Sequence, residues 1–474
     1  MEYKITEQTV AVNELIFDEC VEQPIDTEFT LPDYCPDISR ILKCRVTPLI
    51  NSKTVAGAGL TVDGTANIHA LYCDGGGEIR SYEHSVSFSR SVELGGGADN
   101  AMVSVKCKTD YMNCRAVTER RFDVHGALSV YIKVYSRNNT GVVVDVDGDG
   151  VQMQKELIPV TNTTGWAEKY LALTDELEVG QGKQAIRSIL RSDARAVCSE
   201  CKIISNKVIV KGELLLTTLY CGDEDGLPER LENAIPISQI VDIEGVTEGC
   251  SGTVNMDIVG LEVKPRTGSA GEARSVNVSV RARIDVKAHC HTEIPLISDA
   301  YSTRFEISAV KSDVVTERLI EDIRENYLCK KALELPPGSV SEVVDLWCDS
   351  YVSSVRSEAD TLIIYGTVLI CLLARDGEGS VQYYERPVEY EYRHALPQAP
   401  KEMRCEPVVA AVAASYTILS GSELEARVEL SVSAEALDVA RINAVTSLTV
   451  DEAKPKAAPD AALIVYYANG GETV

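Results

Sequence analysis

The stretch LTVDGTANIHALYCDGGG, Leu60–Gly77, decides how this chain is read, because two later stretches share its layout. VIVKGELLLTTLYCGDEDG at 208–226 and LIIYGTVLICLLARDGEG at 362–379 also pass through an apolar run to a glycine and on to a leucine, then end in an acidic, Gly-rich turn. The glycines are Gly64, Gly212 and Gly366, and the leucines are Leu71, Leu219 and Leu373. An interior glycine in a strand predicts a bulge or a close backbone approach, and the Asp/Gly clusters predict hairpin turns with residues at positive φ.

The correspondence extends outward. Glu83, Glu232 and Glu385 follow their glycines by 19, 20 and 19 residues, and each is followed by an alternating apolar pair: Val86 and Phe88, Ile235 and Ile237, Val388 and Tyr390. Upstream, LPDYCPDISRIL (31–42), VGQGKQAIRSIL (179–190) and LPPGSVSEVVDL (335–346) run through a Pro- or Gly-containing bend to an apolar close. The glycines are 148 and 154 residues apart, so the repeating unit is a whole domain and not a short solenoid repeat. RFDVHGALSVYIKV (121–134), SVNVSVRARIDVKA (275–288) and ELEARVELSVSAEA (423–436) alternate apolar and polar residues with a period of two.

The predicted fold is therefore mainly β: three tandem β-sandwich or barrel-like repeat domains at 1–155, 156–312 and 313–450, with few helices. The best helix candidate is TERLIEDIRENYLCKKAL, 316–333, where Leu319, Ile320, Ile323 and Tyr327 would share a face. DEAKPKAAPDAA, 451–462, reads as a flexible spacer before a C-terminal stub, the two together occupying 451–474.

A chain of 474 residues is long enough for about three domains, and 45% apolar content gives each a core. Acidic residues outnumber basic ones 72 to 46, a net charge of -26 with no basic stripe, which argues against a nucleic-acid partner. No stretch reaches the roughly 18 to 20 apolar residues of a membrane helix, and the N-terminus has no signal-peptide pattern, so no membrane insertion and an intracellular location are expected. The fifteen cysteines are odd in number and thinly spread, often at apolar strand positions as in Cys73, Cys221 and Cys371, and are expected to be reduced, buried thiols.

Two metal patterns are present. DVDGDGVQMQKE sets Asp145, Asp147, Asp149, Gly150 and Glu156 at calcium-loop positions, but a strand precedes it where a helix should enter, and DGDG reads more naturally as a hairpin turn. Cys198 and Cys201 with His289, Cys290 and His291 offer enough zinc ligands, yet the alternating strand positions favour buried thiols and surface imidazoles. No phosphate loop, nucleophile elbow or metalloprotease helix motif occurs, so no catalytic, metal or cofactor-binding residue is assigned and no enzyme activity is expected. The recurring Glu83, Glu232 and Glu385 are read as turn caps or solvent-facing residues.

Three tandem β units with the LPDYCPDISRIL layout, a Pro/Ala spacer and then IVYYANGGETV resemble the SPOCS-domain proteins of spore-forming Firmicutes, which end in a LysM module. The resemblance implies a spore-coat morphogenetic factor in the mother-cell cytoplasm at the forespore surface. Its partners would be other coat morphogenetic proteins, among them an ATP-hydrolysing coat basement protein, and copies of itself. Tyr467, Gly471, Glu472 and Thr473 match the opening of a LysM module and would be partner-binding residues of it, with the rest of the module expected beyond Val474. The alternative function is peptidoglycan binding through that module.

Overall fold

The computed structural model describes residues 3–94, 101–148, 150–224, 226–268 and 271–455. The period-two segments become long antiparallel strands arranged in the same order three times. The first unit contains β1 (Lys4–Thr30), β2 (Arg40–Ala56), β3 (Gly59–Cys73), β4 (Ile79–Glu93), β5 (Met102–Thr118) and β6 (Arg121–Asp147). The second contains β7 (Val151–Glu178), β8 (Ile186–Ile204), β9 (Lys207–Gly222), β10 (Pro228–Asp242), β11 (Cys250–Thr267) and β12 (Ala273–Ser302). The third contains β13 (Phe305–Glu334), β14 (Glu342–Glu358), β15 (Thr361–Arg375), β16 (Val381–Ala395), the short β17 (Met403–Arg404), β18 (Val408–Ser420) and β19 (Glu423–Pro455).

In each unit the middle strands form a meander, β2-β3-β4, β8-β9-β10 or β14-β15-β16. The opening strand pairs with the closing one, and the latter also takes β5, β11 or β18 on its other side. The two sheets of a unit face each other. In the first, Leu60, Val62, Ala66 and Ile68 of β3 meet Phe122, Val124, Leu128 and Val130 of β6 in one buried core. The expected sandwich follows from alternation: every second residue enters the core, and the others face water.

The three repeated glycines are sites of close approach. A Cβ on Gly64 would enter the Phe88 ring, its partner across the β3/β4 ladder, and one on Gly366 would enter the Tyr390 ring and the Tyr351 carbonyl. At Gly212 the obstacle is the Val197 carbonyl. Beside each glycine the neighbouring strand carries a one-residue bulge, at Asn51, Ser199 and Ser353. The expected turns are also present: Asp74 and Asp376 each accept two backbone N–H groups from their own loop, and Gly77 and Gly379 close those loops at φ of 81° and 85°. Gly64→Ala is expected to cost about 2 kcal/mol, the usual scale of overpacking a filled core. Adding Phe88→Leu, which removes the obstructing ring atoms, should restore most of that in urea denaturation; no recovery would show that the ring is not the obstacle.

Two expectations on secondary structure are corrected. Residues 316–333 lie within strand β13, paired along its length with β19, and no helix occurs among the described residues. The misleading cue was a spacing of four: Ile323 and Tyr327 share a side in a strand as well as in a helix, while Ile320 is the extra residue of a bulge between Leu319 and Glu321, which reverses the alternation and leaves Leu319 on the other side. The spacer at 451–462 begins later than expected, because Asp451–Pro455 complete β19 against the start of β13.

The units close on one another as a ring. The last meander strand of each unit lies against the first of the next: β4 against β8, β10 against β14, and β16 against β2. The outer halves of the long paired strands also converge. Val10, Val12, Val142 and Val144 pack with Val160, Ile294 and Leu296 and with Val314 and Ala444, one group from each unit. A second such layer joins Val143 and Val146 to Ile297 and Ala300 and to Val445 and Leu448.

Candidate functional site: the junction of the three units

The meander sheets meet in an apolar plug contributed by all three units. It contains Leu71, Leu219 and Leu373, the repeated leucines that close the quoted strands, together with Leu190, Ile79, Cys221, Trp347 and Val381. A second bulge in each first meander strand falls on Leu42, Leu190 and Val344, and these three bulged side chains belong to the same plug. A bulge breaks the in-out alternation by one residue, which allows a strand that fills its own sandwich to send one apolar side chain to its neighbours.

Around the plug lies an ion network built from three equivalent positions per unit. Lys43, Arg191 and Asp345 stand 21 residues before their glycines; Arg45, Asp193 and Trp347 stand 19 before; Thr47, Arg195 and Asp349 stand 17 before. Because the copies have diverged in charge, opposite signs meet across the unit boundaries. Arg45 reaches Asp193 at 2.8 Å and Asp349 at 3.0 Å, so one guanidinium ties all three units. Arg191 contacts Asp345 at 2.5 Å, with only 5% and 0% of the two side chains exposed, and lies 4.2 Å from the centre of the Trp347 ring. Arg195 binds Asp349 at 3.1 Å and the Cys348 and Ala411 carbonyls, and Lys43 meets Glu385 at 2.5 Å.

His69 of the first unit donates from Nε2 to the Leu190 carbonyl at 2.7 Å, since a carbonyl can only accept. Burial pushes its pKa down to about 4; the Leu190 hydrogen bond opposes this, while Arg191 and Arg45 add to it. A cavity of about 480 Å³ beside the network is lined by Arg45, His69, Glu83 and Arg195 among others. A second, of about 400 Å³, takes Asn13 and Lys53 from the first unit, Glu168 and Asp285 from the second, and Arg404 and Glu435 from the third. In its walls, burial pushes Asp285 up to about 6 against the pull of Lys53 and Arg283. Burial also works to raise Glu435, but His289, Lys287 and Thr253 hold its carboxyl at about 2.

The residues singled out in the sequence fall elsewhere or take different roles. Tyr467, Gly471, Glu472 and Thr473 lie outside the described residues, as does Asp149. Asp145 sits in β6, ion-paired to Lys155 at 2.5 Å, and Glu156 lies in β7 opposite Leu296. The hairpin expected between them is corrected: β6 and β7 belong to different sheets, since β6 pairs with β1 and β5 and β7 pairs with β12. Among the described residues no group of three or more His, Cys, Asp or Glu is placed to hold a metal ion.

The cysteine reading needs one correction. Cys250 and Cys290 stand opposite each other in the β11/β12 ladder with Cα atoms 4.1 Å apart and are joined as a disulfide, because directly paired strand positions bring both sulfurs to one side. Cys198 and Cys201 remain half-buried thiols raised by burial, Cys201 to about 11. His289 is also corrected from a surface imidazole to a buried one, 2% exposed and 3.0 Å from Glu435 of the third unit. His291 is held between the hydroxyls of Thr161 and Ser251. Of the recurring glutamates, Glu232 is exposed beside Arg230, Glu83 lines the cavity beside the ion network and Glu385 takes part in that network.

Arg45, Arg191, Asp193, Arg195, Asp345 and Asp349 carry the junction, and reading for like residues passes over them. The signal lay in the fixed offsets from Gly64, Gly212 and Gly366, at which residue type changes while position does not. Residues 37–117 and 185–265 match the family model described as SipL, SPOCS domain. Each match starts just before the first meander strand and ends in β5 or β11, so the matched stretch is the meander plus its return strand. The third unit repeats this strand order from β14 to β18. No curated protein and no solved structure matches the chain.

Proposed function

We propose that this chain, whose first two units each carry a stretch matching the SPOCS domain, is a sporulation-related protein that acts as a non-enzymatic scaffold or adaptor in spore-coat or envelope assembly. Its partners would be other coat morphogenetic proteins, including an ATP-hydrolysing coat basement protein, met at the forespore surface from the mother-cell side. The observation that carries this reading is the use of charge at the junction: Arg45, Arg191 and Arg195 each already hold an acid of their own or a neighbouring unit. Groups committed to each other in this way fix three copies in one mutual arrangement, which suits a body that presents several surfaces at once.

The test is capture from sporulating cells. The tagged chain should retain coat proteins, and a strain lacking it should form spores whose coat is poorly attached. Capture of no coat component, together with normal coat attachment in the deletion strain, would end the scaffold reading.

A further inference from the structure

The return strands β5, β11 and β18 each form one outer edge of their sheet, pairing with one neighbour among the described residues. Their far ends are mostly exposed, and on one side they pair with no further strand among the described residues. Such edges are usually blunted by charge or proline. The first two are blunted: 110–118, DYMNCRAVT, carries Asp110 and Arg115, and 259–267, VGLEVKPRT, carries Glu262, Lys264, Pro265 and Arg266. The third is not. From Pro407 to Ser422 there is no charged side chain, although charged residues make up 25% of the chain.

Only part of β18 is open. Its start is covered, because Ser350 Oγ donates to the Val409 carbonyl at 2.8 Å and accepts from the Ala411 amide at 3.1 Å, and Arg195 takes the Ala411 carbonyl. Beyond that, every residue from Ser415 to Ser420 is exposed, with Tyr416 at 42%, Ile418 at 40% and Leu419 at 52%.

We propose that the open half of β18, Ala413–Ser420, is a self-pairing edge through which two copies of this chain join antiparallel, β18 to β18, into one continuous sheet. The occupant follows from charge. A body of net charge -26 repels its own copies, so contact is least opposed along a strand that carries no charge, and β18 is the uncharged one of the three return strands. Antiparallel pairing of identical strands is self-complementary, forms a closed two-fold contact and places Ser, Thr, Tyr and Ile side chains across from one another, the types that favour cross-strand pairs. The inference gives the self-association within the scaffold reading its location and rests on that reading. Sedimentation tests self-pairing alone and coat capture tests coat binding alone, so either can fail without the other.

The full chain should sediment as a dimer of its 51.5 kDa protomer that dissociates on dilution and strengthens as salt is raised, since salt screens the repulsion between the two bodies. Thr417→Lys and Ile418→Lys should each weaken it by about tenfold or more, because the pairing would then set like charges close together. Val117→Lys, at the corresponding end of β5, should leave it unchanged. Ile418 faces Leu424 across the ladder and its variant could unfold the hairpin; Thr417→Lys, checked by an unchanged melting curve, keeps the test decisive. A protomer that stays monomeric up to several hundred micromolar overturns the proposal, as does a dimer that ignores both lysines. A monomer that instead binds a foreign extended peptide along β18 overturns it equally.

Discussion

Replacing Asp345 by alanine is expected to lower the apparent stability of the protein by about 3–5 kcal/mol, the cost of removing one partner from a buried ion pair. Asp345 is fully buried and lies 2.5 Å from Arg191, and its other oxygen is 3.8 Å from the Arg230 guanidinium. Without it, two guanidiniums of the second unit face the third unit with no anion between them, and Arg191 keeps only Asp193, on its own strand. The damage should appear at the boundary between units, so limited proteolysis ought to separate the third unit from the second before either sandwich melts. The charge is not expected to be indispensable in itself. Arg191→Met combined with Asp345→Leu should recover most of the loss, since apolar replacement of a whole buried pair is often neutral or better. An Asp345→Ala protein within about 1 kcal/mol of the wild type in urea denaturation would mean that the pair is hydrated and does not clamp the units.

That pair also marks the limit of what the sequence discloses. The repetition of Gly64, Gly212 and Gly366, with the alternation around them, leads directly to three sandwiches, because close approach and period two are local properties. Leu71, Leu219 and Leu373 are recognisable as one position, but an apolar strand end can face its own core or a neighbour, and only the ring closure directs them to the common plug. The junction charges are harder to see. A search for sameness discards Lys43, Arg191 and Asp345 as unrelated, whereas in a closed ring of diverged copies it is difference at one position that produces attraction. His289 misleads in a related way: its strand neighbours suggest a surface position in an isolated second unit, and Glu435 of the third unit buries it. These failures concern contacts between units, unlike the helix expected at 316–333, where a spacing of four common to strand and helix misled.

The same junction should make the protein acid-sensitive through His69. Its folded pKa is depressed to about 4 from the ordinary imidazole value of 6.5, so between these values the unfolded chain binds a proton that the folded protein refuses. Stability therefore rises with pH across this window and is lost as pH falls from about 6.5 towards 4. By proton linkage the loss amounts to about 3 kcal/mol at pH 4 relative to pH 7, before the titration of any carboxylate is counted. The physical cause is local. A protonated imidazole at this position would lie buried near Arg191 and Arg45, while its Nε2–H is already given to the Leu190 carbonyl. His69→Gln retains an N–H donor and cannot titrate. Its unfolding free energy should lie below that of the wild type near pH 7, through imperfect geometry, and the two curves should approach or cross on acidification. Carboxylates held low by their partners, such as Glu435 at about 2, add their own loss mainly below pH 4.5, where both proteins share it. The separation between pH 6.5 and 5 therefore belongs to His69, and parallel stability curves for the two proteins over that interval would show that its imidazole is solvated and titrates normally.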